Sequence, residues 1–436
     1  MTSLIKIGLC GLGTVGTGVC SVLQRNRDEI AARVGAELQV THIGARRDNP
    51  NFDSSAYRVS RDIFDVANDP EIDVLVELIG GIAVAKELIT TAILNGKHVV
   101  TANKALIAEH GNELLALAKE HNVTVLFEAA VAGGIPVLKA LREGLSANKV
   151  TWLAGIINGT GNFILSEMRD KGRAFDDVLA EAQALGYAEA DPTFDVEGID
   201  AAHKLMILAS MAFGMKMKFD EVFTEGISAI ELQDIHYAEE LGYRIKHLGI
   251  ARRISDDEIE VRVHPTLLPD SSLIANVNGV MNAVMVNGDA VGSTLYYGAG
   301  AGSEPTASAV IADLVDVVRQ TQAGIDHVIP SVGYTQLTAK GIVPIERVRS
   351  EYYLRITAQD QPGALASITQ CLSDQAISVE AMIQKDEKRE DKFPSVILLT
   401  SKTVEENLNK ALVNIEALPT VNGSVIRIRV DTLDAS

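Results

Sequence analysis

The sequence predicts an α/β protein in three parts: a doubly wound parallel sheet, an inserted α+β domain, and a C-terminal ferredoxin-like domain. Three observations carry that prediction. The chain has 436 residues, which at about 150 residues per domain suggests roughly three domains. Up to about residue 128, short apolar runs alternate with helical stretches, the pattern of βαβ units that feed a parallel sheet. Beyond residue 350 the order of elements turns to βαββαβ.

In the first part, strands are expected at residues 4–9, 38–44, 74–79, 99–101 and 123–127, and helices at 16–33, 63–67, 84–95 and 105–121. Parallel strands need right-handed crossovers, so the helices fall on both faces of the sheet. From about 129 to 300 the regularity changes. Asn/Gly-rich turns at 156–162, a helical pattern at 200–213 and strand-like runs at 259–264 and 283–287 suggest a mixed α+β domain. The apolar-periodic run 305–320 follows the Gly-rich 298–302 and is expected to be a helix packed back on the first domain. Residues 322–350, with Gly324, Pro330, Gly333, Gly341 and Pro344, read as a connector. Strands at 352–358, 378–384, 395–400 and 424–430 and helices at 364–373 and 404–417 make up the last domain. The expected boundaries are therefore 1–130 plus about 303–322 for the sheet domain, 131–302 for the inserted domain, 323–349 for the linker, and 350–431 for the C-terminal domain.

A content of 47% hydrophobic and 22% charged residues is ordinary globular composition, which excludes a disordered or collagen-like chain. Lys+Arg 39 against Asp+Glu 58 gives a net charge of −19, so phosphate backbones and anionic lipid surfaces repel the chain. Neither nucleic acid nor a membrane is an expected partner, and no apolar run approaches the length of a spanning helix. Cys10, Cys20 and Cys371 are too few for a disulfide framework and show no CxxC spacing. The N-terminus enters a strand-like segment without a basic leader or apolar signal core, so the expected location is the cytoplasm.

Gly11, Leu12, Gly13, Thr14, Val15 and Gly16 form a GxGxxG that follows a strand and opens a helix, the context of a Rossmann-type dinucleotide turn. The first glycine permits the turn, the second lets backbone approach a pyrophosphate, and the third allows close helix packing, while helix N-terminal N–H groups meet the anion. The alternative is a Gly-rich turn without a ligand. An acid closing the second strand would bind a ribose hydroxyl, but that strand ends in Arg46 and Arg47. Guanidinium groups suit a 2′-phosphate, so NADP(H) is expected over NAD(H), although Asp48 follows at once and could serve a ribose.

Lys104 stands at the carboxyl edge of the sheet, where ligands bind in open α/β folds; otherwise it is a solvated lysine at a helix start. Glu128 runs into a Gly-kinked backbone that could aim several oxygens at a hard cation, or could simply form a hinge. The richest stretch is 185–204, where acids cluster ahead of a helix and could bind an ammonium group. Asp200 and Lys204 are i,i+4 on that helix and share a face. They form either a surface ion pair or a lysine held at a cleft to protonate a developing alkoxide. His203, one residue off that face among apolar companions, reads as structural, and no HExxH or HxH spacing supports zinc. None of the three cysteines is placed to serve as the thiolate of a thioester route, which favours direct hydride transfer.

With these motifs in place, the chain resembles the monofunctional, ACT-domain-bearing homoserine dehydrogenases. The resemblance spans GLGTVG at 11–16, VTANKALIA at 100–108, FEAAVAGGIPVL at 127–138, NGTGNFIL at 158–165, GYAEADP at 186–192, GIDAAHK at 198–204 and GAGAGSEPTASAV at 298–310. It implies reversible reduction of L-aspartate 4-semialdehyde to L-homoserine, with Lys204 as proton donor, Lys104 beside substrate and nicotinamide, and Asp200 orienting Lys204. It further implies that Thr160, Tyr187, Glu189, Asp195 and Asp200 line the substrate site, while Thr101 and Gly302 join the cofactor turn. A structural sodium ion would lie on the Glu128 side chain and the carbonyls of Val131, Gly133 and Ile135. A homodimer or homotetramer is implied as well.

The run 360–366 resembles the strand-to-helix turn of an ACT domain, where Asp360 could cap and Gly363 and Ala364 could present N–H groups to the carboxylate of an amino-acid effector such as threonine. Removing the residues after about Ser350 is expected to leave activity and abolish that inhibition. Two other readings stay open: a nucleotide-sensing regulator without turnover, and a reductase for a different semialdehyde.

Overall fold

The computed structural model describes residues 3–323, 330–384 and 394–433. The connector's Gly324 lies outside the described residues. The chain divides into two compact units, one comprising Met1–Ile157, Asp200–Asp220 and Met281–Lys340, the other Asn158–Ile199, Glu221–Val280 and Gly341–Ser436. Segments of the stretch 131–302 fall in both.

The first unit is built on a parallel sheet of six strands: β1 (Ser3–Cys10), β2 (Ala36–Gly44), β3 (Arg58–Ser60), β4 (Val74–Glu77), β5 (His98–Thr101) and β6 (Val125–Leu126). Their order is β3-β2-β1-β4-β5-β6, so the sheet is doubly wound as expected and its direction of growth reverses between β1 and β4. Every residue of β4 is buried, because helices cover both faces. Helices α1 (Thr14–Arg25) and α2 (Arg27–Val34) lie on one face, and α3 (Phe64–Asn68), α4 (Ala83–Leu94) and α5 (Lys104–Glu120) on the other, each with its own apolar core.

Three details correct the sequence reading. The helix expected at 16–33 is two helices that meet at Asn26, where Asp28 and Glu29 supply the acidic first turn that favours a new start. The edge strand β3 is three residues long, too short for any alternation to show. Strand β6 is cut to two residues because Glu128–Ala130 wind into a 3₁₀ turn.

The helix Ser303–Gln322 packs back on this sheet as expected, its Ala307, Val310, Leu314 and Val317 sharing a core with Val19 and Leu23 of α1. Gly18 permits that approach, since a Cβ there would lie 2.6 Å from the Ser303 hydroxyl oxygen. The unit also holds an antiparallel ribbon of Val150–Ile156, Met281–Gly288 and Gly292–Ala299, and the helix Ile199–Phe213, which is buried nearly all round.

The second unit is a six-stranded run in the order Tyr243–Arg253, Glu258–Pro269, Ile426–Val430, Arg349–Thr357, Ser395–Thr400, Val379–Gln384. Its last four strands, with helices Ala364–Ser373 and Glu405–Glu416 packed over one face, form the expected ferredoxin-like βαββαβ. The strand Tyr243–Arg253 escaped the sequence reading because it carries Arg244, Lys246, His247, Arg252 and Arg253, and Lys246 and His247 are nonetheless buried.

The ferredoxin-like segment is a continuation of this sheet. Ile426–Val430 pairs in parallel with Glu258–Pro269 through Thr266 with Arg429 and Leu267 with Val430. Buried charges lock the join. Asp234, fully buried, accepts from Arg355 Nε at 2.6 Å and Nη2 at 3.0 Å and from the Tyr353 hydroxyl at 2.9 Å. Arg429, equally buried, donates to Glu405 at 2.8 and 2.5 Å and to Glu225 at 3.1 Å. A cut after Ser350 would remove Arg355 and Tyr353 from Asp234 and uncover the edge of Glu258–Pro269 that pairs with Ile426–Val430.

Candidate active site

The dinucleotide turn has the geometry its sequence requires. Gly11 sits at φ +108° and a Cβ there would lie 2.5 Å from the Leu78 carbonyl oxygen, while a Cβ on Gly16 would lie 2.1 Å from the carbonyl oxygen of Gly11. A Cβ on Gly13 would meet no protein atom within 4 Å, so that side of the turn is open to a ligand. Gly13 begins α1 without a side-chain cap, which leaves the first N–H groups directed at whatever occupies that space. Arg46 and Arg47 are exposed just past β2. Asp48, the rival for a ribose, is paired with Arg61 at 2.7 Å. Gly302 begins the helix Ser303–Gln322, and the Ser303 hydroxyl donates to the Thr14 carbonyl at 2.7 Å, which ties the late glycine loop to the first turn of α1.

At the carboxyl edge of the sheet the structure adds a residue the sequence did not reveal. Glu77 ends β4 fully buried and accepts from the Thr101 hydroxyl at 2.6 Å and from the N–H groups of Ile79 at 2.8 Å and Gly80 at 3.3 Å. Burial raises its pKa against those donors. Thr101, expected to join the cofactor turn, directs its hydroxyl inward to Glu77 and is itself fully buried.

Two lysines meet one carboxylate. Asp200, in the first turn of Ile199–Phe213, accepts from Lys204 Nζ at 2.7 Å on Oδ2, and Lys104 Nζ lies 3.2 Å from Oδ1. Lys204 Nζ also donates to the Ile157 carbonyl at 2.7 Å. Lys104 opens α5 just after its cap, Asn103, whose side chain accepts from Leu106 N–H at 3.1 Å. The expected Asp200–Lys204 pair is therefore present with its carboxylate buried, and Lys104 joins it. His203 is structural as expected: it stacks on Phe219 with centroids 4.0 Å apart and binds Glu109 at 3.1 Å. Burial holds the Cys10 thiol far above its ordinary range and pushes Cys20 up to about 11, so neither offers a thiolate.

Glu128 is also buried, and its carboxylate accepts from the N–H groups of Leu138 at 3.0 Å and Lys139 at 2.8 Å. Its own N–H donates to buried Asp313 at 2.7 Å. Burial pushes Glu128 up to about 7 and raises Asp313 well above the usual carboxylate range, the latter also because Glu128 is beside it. The Ile135 carbonyl already accepts Val137 N–H at 2.7 Å. Among the described residues no group of three His, Cys, Asp or Glu side chains could hold a metal ion, so a cation here would rest on carbonyls and the single carboxylate.

In the second unit, Asn158 caps the helix Gly159–Lys171 by accepting Gly161 N–H at 2.7 Å, and its amide donates to Asp195 at 2.8 Å. Thr160 donates to the Tyr187 carbonyl at 2.6 Å, and the Tyr187 ring meets Phe163 edge-on at 5.2 Å. Glu189 is exposed. Asn158, not singled out from the sequence, thus fixes both a helix start and Asp195.

The ferredoxin-like segment contains a cavity of about 320 Å³ lined by residues 358–365 with Gln384 and Val396. Asp360, Gly363 and Ala364 all line it. Asp360 does not cap: the helix Ala364–Ser373 begins at Gly363, φ +92°, without a side-chain cap.

An open dinucleotide turn on a doubly wound sheet and, beside that sheet's carboxyl edge, a lysine pair on one buried carboxylate define a nicotinamide-dependent oxidoreductase. The comparisons with known proteins agree. Residues 11–128 match the homoserine dehydrogenase NAD-binding domain, 136–315 the homoserine dehydrogenase family and 352–417 the ACT domain. The chain is 62% identical over 432 residues to a homoserine dehydrogenase from Pseudomonas aeruginosa, covering 99% of each. It superposes with a TM-score of 0.94 on a homoserine dehydrogenase from Thiobacillus denitrificans, at 58% identity and full coverage of both chains. A hyperthermophilic archaeal homoserine dehydrogenase in complex with NADPH matches at 27% identity and TM-score 0.59, over 72% of this chain and 97% of that one. The chain belongs to the homoserine dehydrogenase family. No helix among the described residues is long and apolar enough to cross a membrane.

Proposed function

We propose that the chain reduces L-aspartate 4-semialdehyde to L-homoserine with NADPH, reversibly, on the route to threonine and methionine. The observation that carries this reading is Asp200 between Lys204 and Lys104, at 2.7 and 3.2 Å. An ammonium has three donors. Two of those on Lys204 go to Asp200 and the Ile157 carbonyl, and the third serves the substrate carbonyl oxygen. As the oxygen gains charge, Lys204 gives up that proton and Asp200 keeps the side chain in place. Lys104 adds a second positive charge beside the developing alkoxide. Thr160, Tyr187, Glu189 and Asp195 hold the amino-acid end of the substrate, the acids binding its ammonium.

The nicotinamide cofactor, when bound, supplies and accepts the hydride. Gly11, Leu12, Gly13, Thr14, Val15 and Gly16 receive its pyrophosphate, with Gly302 alongside. Arg46 and Arg47 favour NADP(H), a preference supported by the NADPH named for the archaeal relative. Sodium on Glu128 and the carbonyls of Val131, Gly133 and Ile135 would compensate the desolvated Glu128–Asp313 pair and act structurally. The ACT cavity at Asp360, Gly363 and Ala364 binds threonine as an end-product inhibitor. The domain boundaries given above, a homo-oligomer and a cytoplasmic location complete the reading.

Initial rates of NADPH and NADH oxidation with L-aspartate 4-semialdehyde, with and without millimolar threonine, test it. Turnover faster with NADPH and suppressed by threonine is expected. No turnover from protein that binds NADPH would overturn it in favour of a sensing role.

A further inference from the structure

Glu77 is buried at a cost in desolvation. It is a carboxylate with no exposed surface, and among the described residues no lysine or arginine pairs with it. A glutamine or an apolar residue of similar size would avoid the desolvation of a charge. What a carboxylate alone provides is an acceptor-only terminus, able to take every donor aimed at it. Ile79 N–H and Gly80 N–H converge on Oε1 and the Thr101 hydroxyl on Oε2, and the Asn103 side chain is a further donor to the same carboxylate.

That polarity is passed on. Because Oε2 can only accept, the Thr101 hydroxyl must donate to it, which turns an oxygen lone pair toward Asn103 N–H at 3.0 Å. Asn103 then fastens two segments: its amide donates to the Gly81 carbonyl at 2.6 Å and its oxygen accepts from Leu106 N–H at 3.1 Å. The next residue is Lys104, whose ammonium lies 3.2 Å from Asp200.

We propose that Glu77 is a positioning residue for Lys104, acting through Thr101 and Asn103 to fix the first turn of α5 against Asp200. The inference rests on the reading of Lys104 as a residue of the reaction site. A glutamine at 77 would present an NH₂ either to Thr101 or to the Ile79 N–H. In the first case the Thr101 hydroxyl must accept where it now donates, so its proton turns away from residue 77 and competes for the position that faces Asn103 N–H; in the second, two donors face each other.

Two measurements on the full chain test this. Amide hydrogen exchange should quicken at least tenfold over residues 102–106 in Glu77→Gln while the helix Ile199–Phe213 keeps its rates; unchanged exchange at 102–106 overturns the proposal. In kinetics, Glu77→Gln should lower kcat tenfold or more in the wild-type background and by less than twofold in Lys104→Ala. Equal losses in both backgrounds overturn it. Should Lys104→Ala keep full kcat, the reading of Lys104 fails, and the exchange rates still decide whether Glu77 orders that turn. If Glu77→Gln fails to fold, Thr101→Val and Thr101→Ser substitute: Val reproduces the loss and Ser rescues it, whereas indistinguishable behaviour of the two refutes the relay.

Discussion

Replacing Arg355 by methionine isolates the lock between the ACT strands and the rest of their sheet. Arg355 makes bonds of 2.6 and 3.0 Å to Asp234, and a third contact of 3.2 Å to the half-exposed Glu231. Methionine fills the space of the stem but leaves Asp234 with the Tyr353 hydroxyl as its remaining side-chain partner from that strand. An uncompensated buried carboxylate of this kind costs about 3–5 kcal/mol. The penalty falls on local opening of Arg349–Thr357, so its amide exchange should accelerate about 100- to 3000-fold, a decade per 1.4 kcal/mol. Adding Asp234→Asn removes the stranded charge while keeping an oxygen for the N–H of Glu231, and should restore most of the protection. Hydrogen exchange with mass-spectrometric readout over 349–357 checks both variants. Exchange within threefold of wild type for Arg355→Met, or a double variant no better than the single one, would refute the reasoning.

Further outcomes follow from the sites described. Lys204→Met should lower kcat by about 10²- to 10⁴-fold with the NADPH dissociation constant, by fluorescence titration, within threefold; parallel losses in both would make the lysine structural. Arg46→Ala with Arg47→Ala should weaken NADPH tenfold or more and leave NADH affinity unchanged, as titration of each cofactor will show. His247, held at about 4 by burial, excludes a proton that the unfolded chain takes up near 6.5. Stability from this source is complete above pH 6.5 and falls as pH drops toward 4, by about 3 kcal/mol in full. The melting temperature of His247→Gln should therefore decline less between pH 6.5 and 4.5 than that of wild type.

Much of this was legible in the chain because the signals were local. The βαβ alternation, GLGTVG between strand and helix, and the i,i+4 spacing of Asp200 and Lys204 each depend on neighbours a few residues apart. The missing elements depend on distant ones. Glu77 looks like an ordinary strand end until Thr101, twenty-four residues on, is seen to donate to it. Tyr243–Arg253 reads as polar because its charges find partners such as Asp431, 179 residues from Arg252. Asp360 has the composition of a cap, yet the helix begins at a positive-φ glycine instead. That the ACT segment is welded to its neighbours could be seen only once Asp234 and Arg355 stood together, 121 residues apart in sequence.

The continuous sheet of the second unit also constrains how the protein is made. Its strand Glu258–Pro269 is synthesised well before Ile426–Val430, the partner that covers one of its edges. Phe223–Thr224 already pairs with Arg262 and Val263, but a ribosome adding about 5–20 residues per second leaves the Thr266–Leu267 stretch of the strand without its partner for many seconds, with apolar Leu268 beside it. Pairing over such separations is intrinsically slow. The nascent chain therefore passes through a stage at which an open strand can recruit another chain, and this edge is where aggregation during expression should begin.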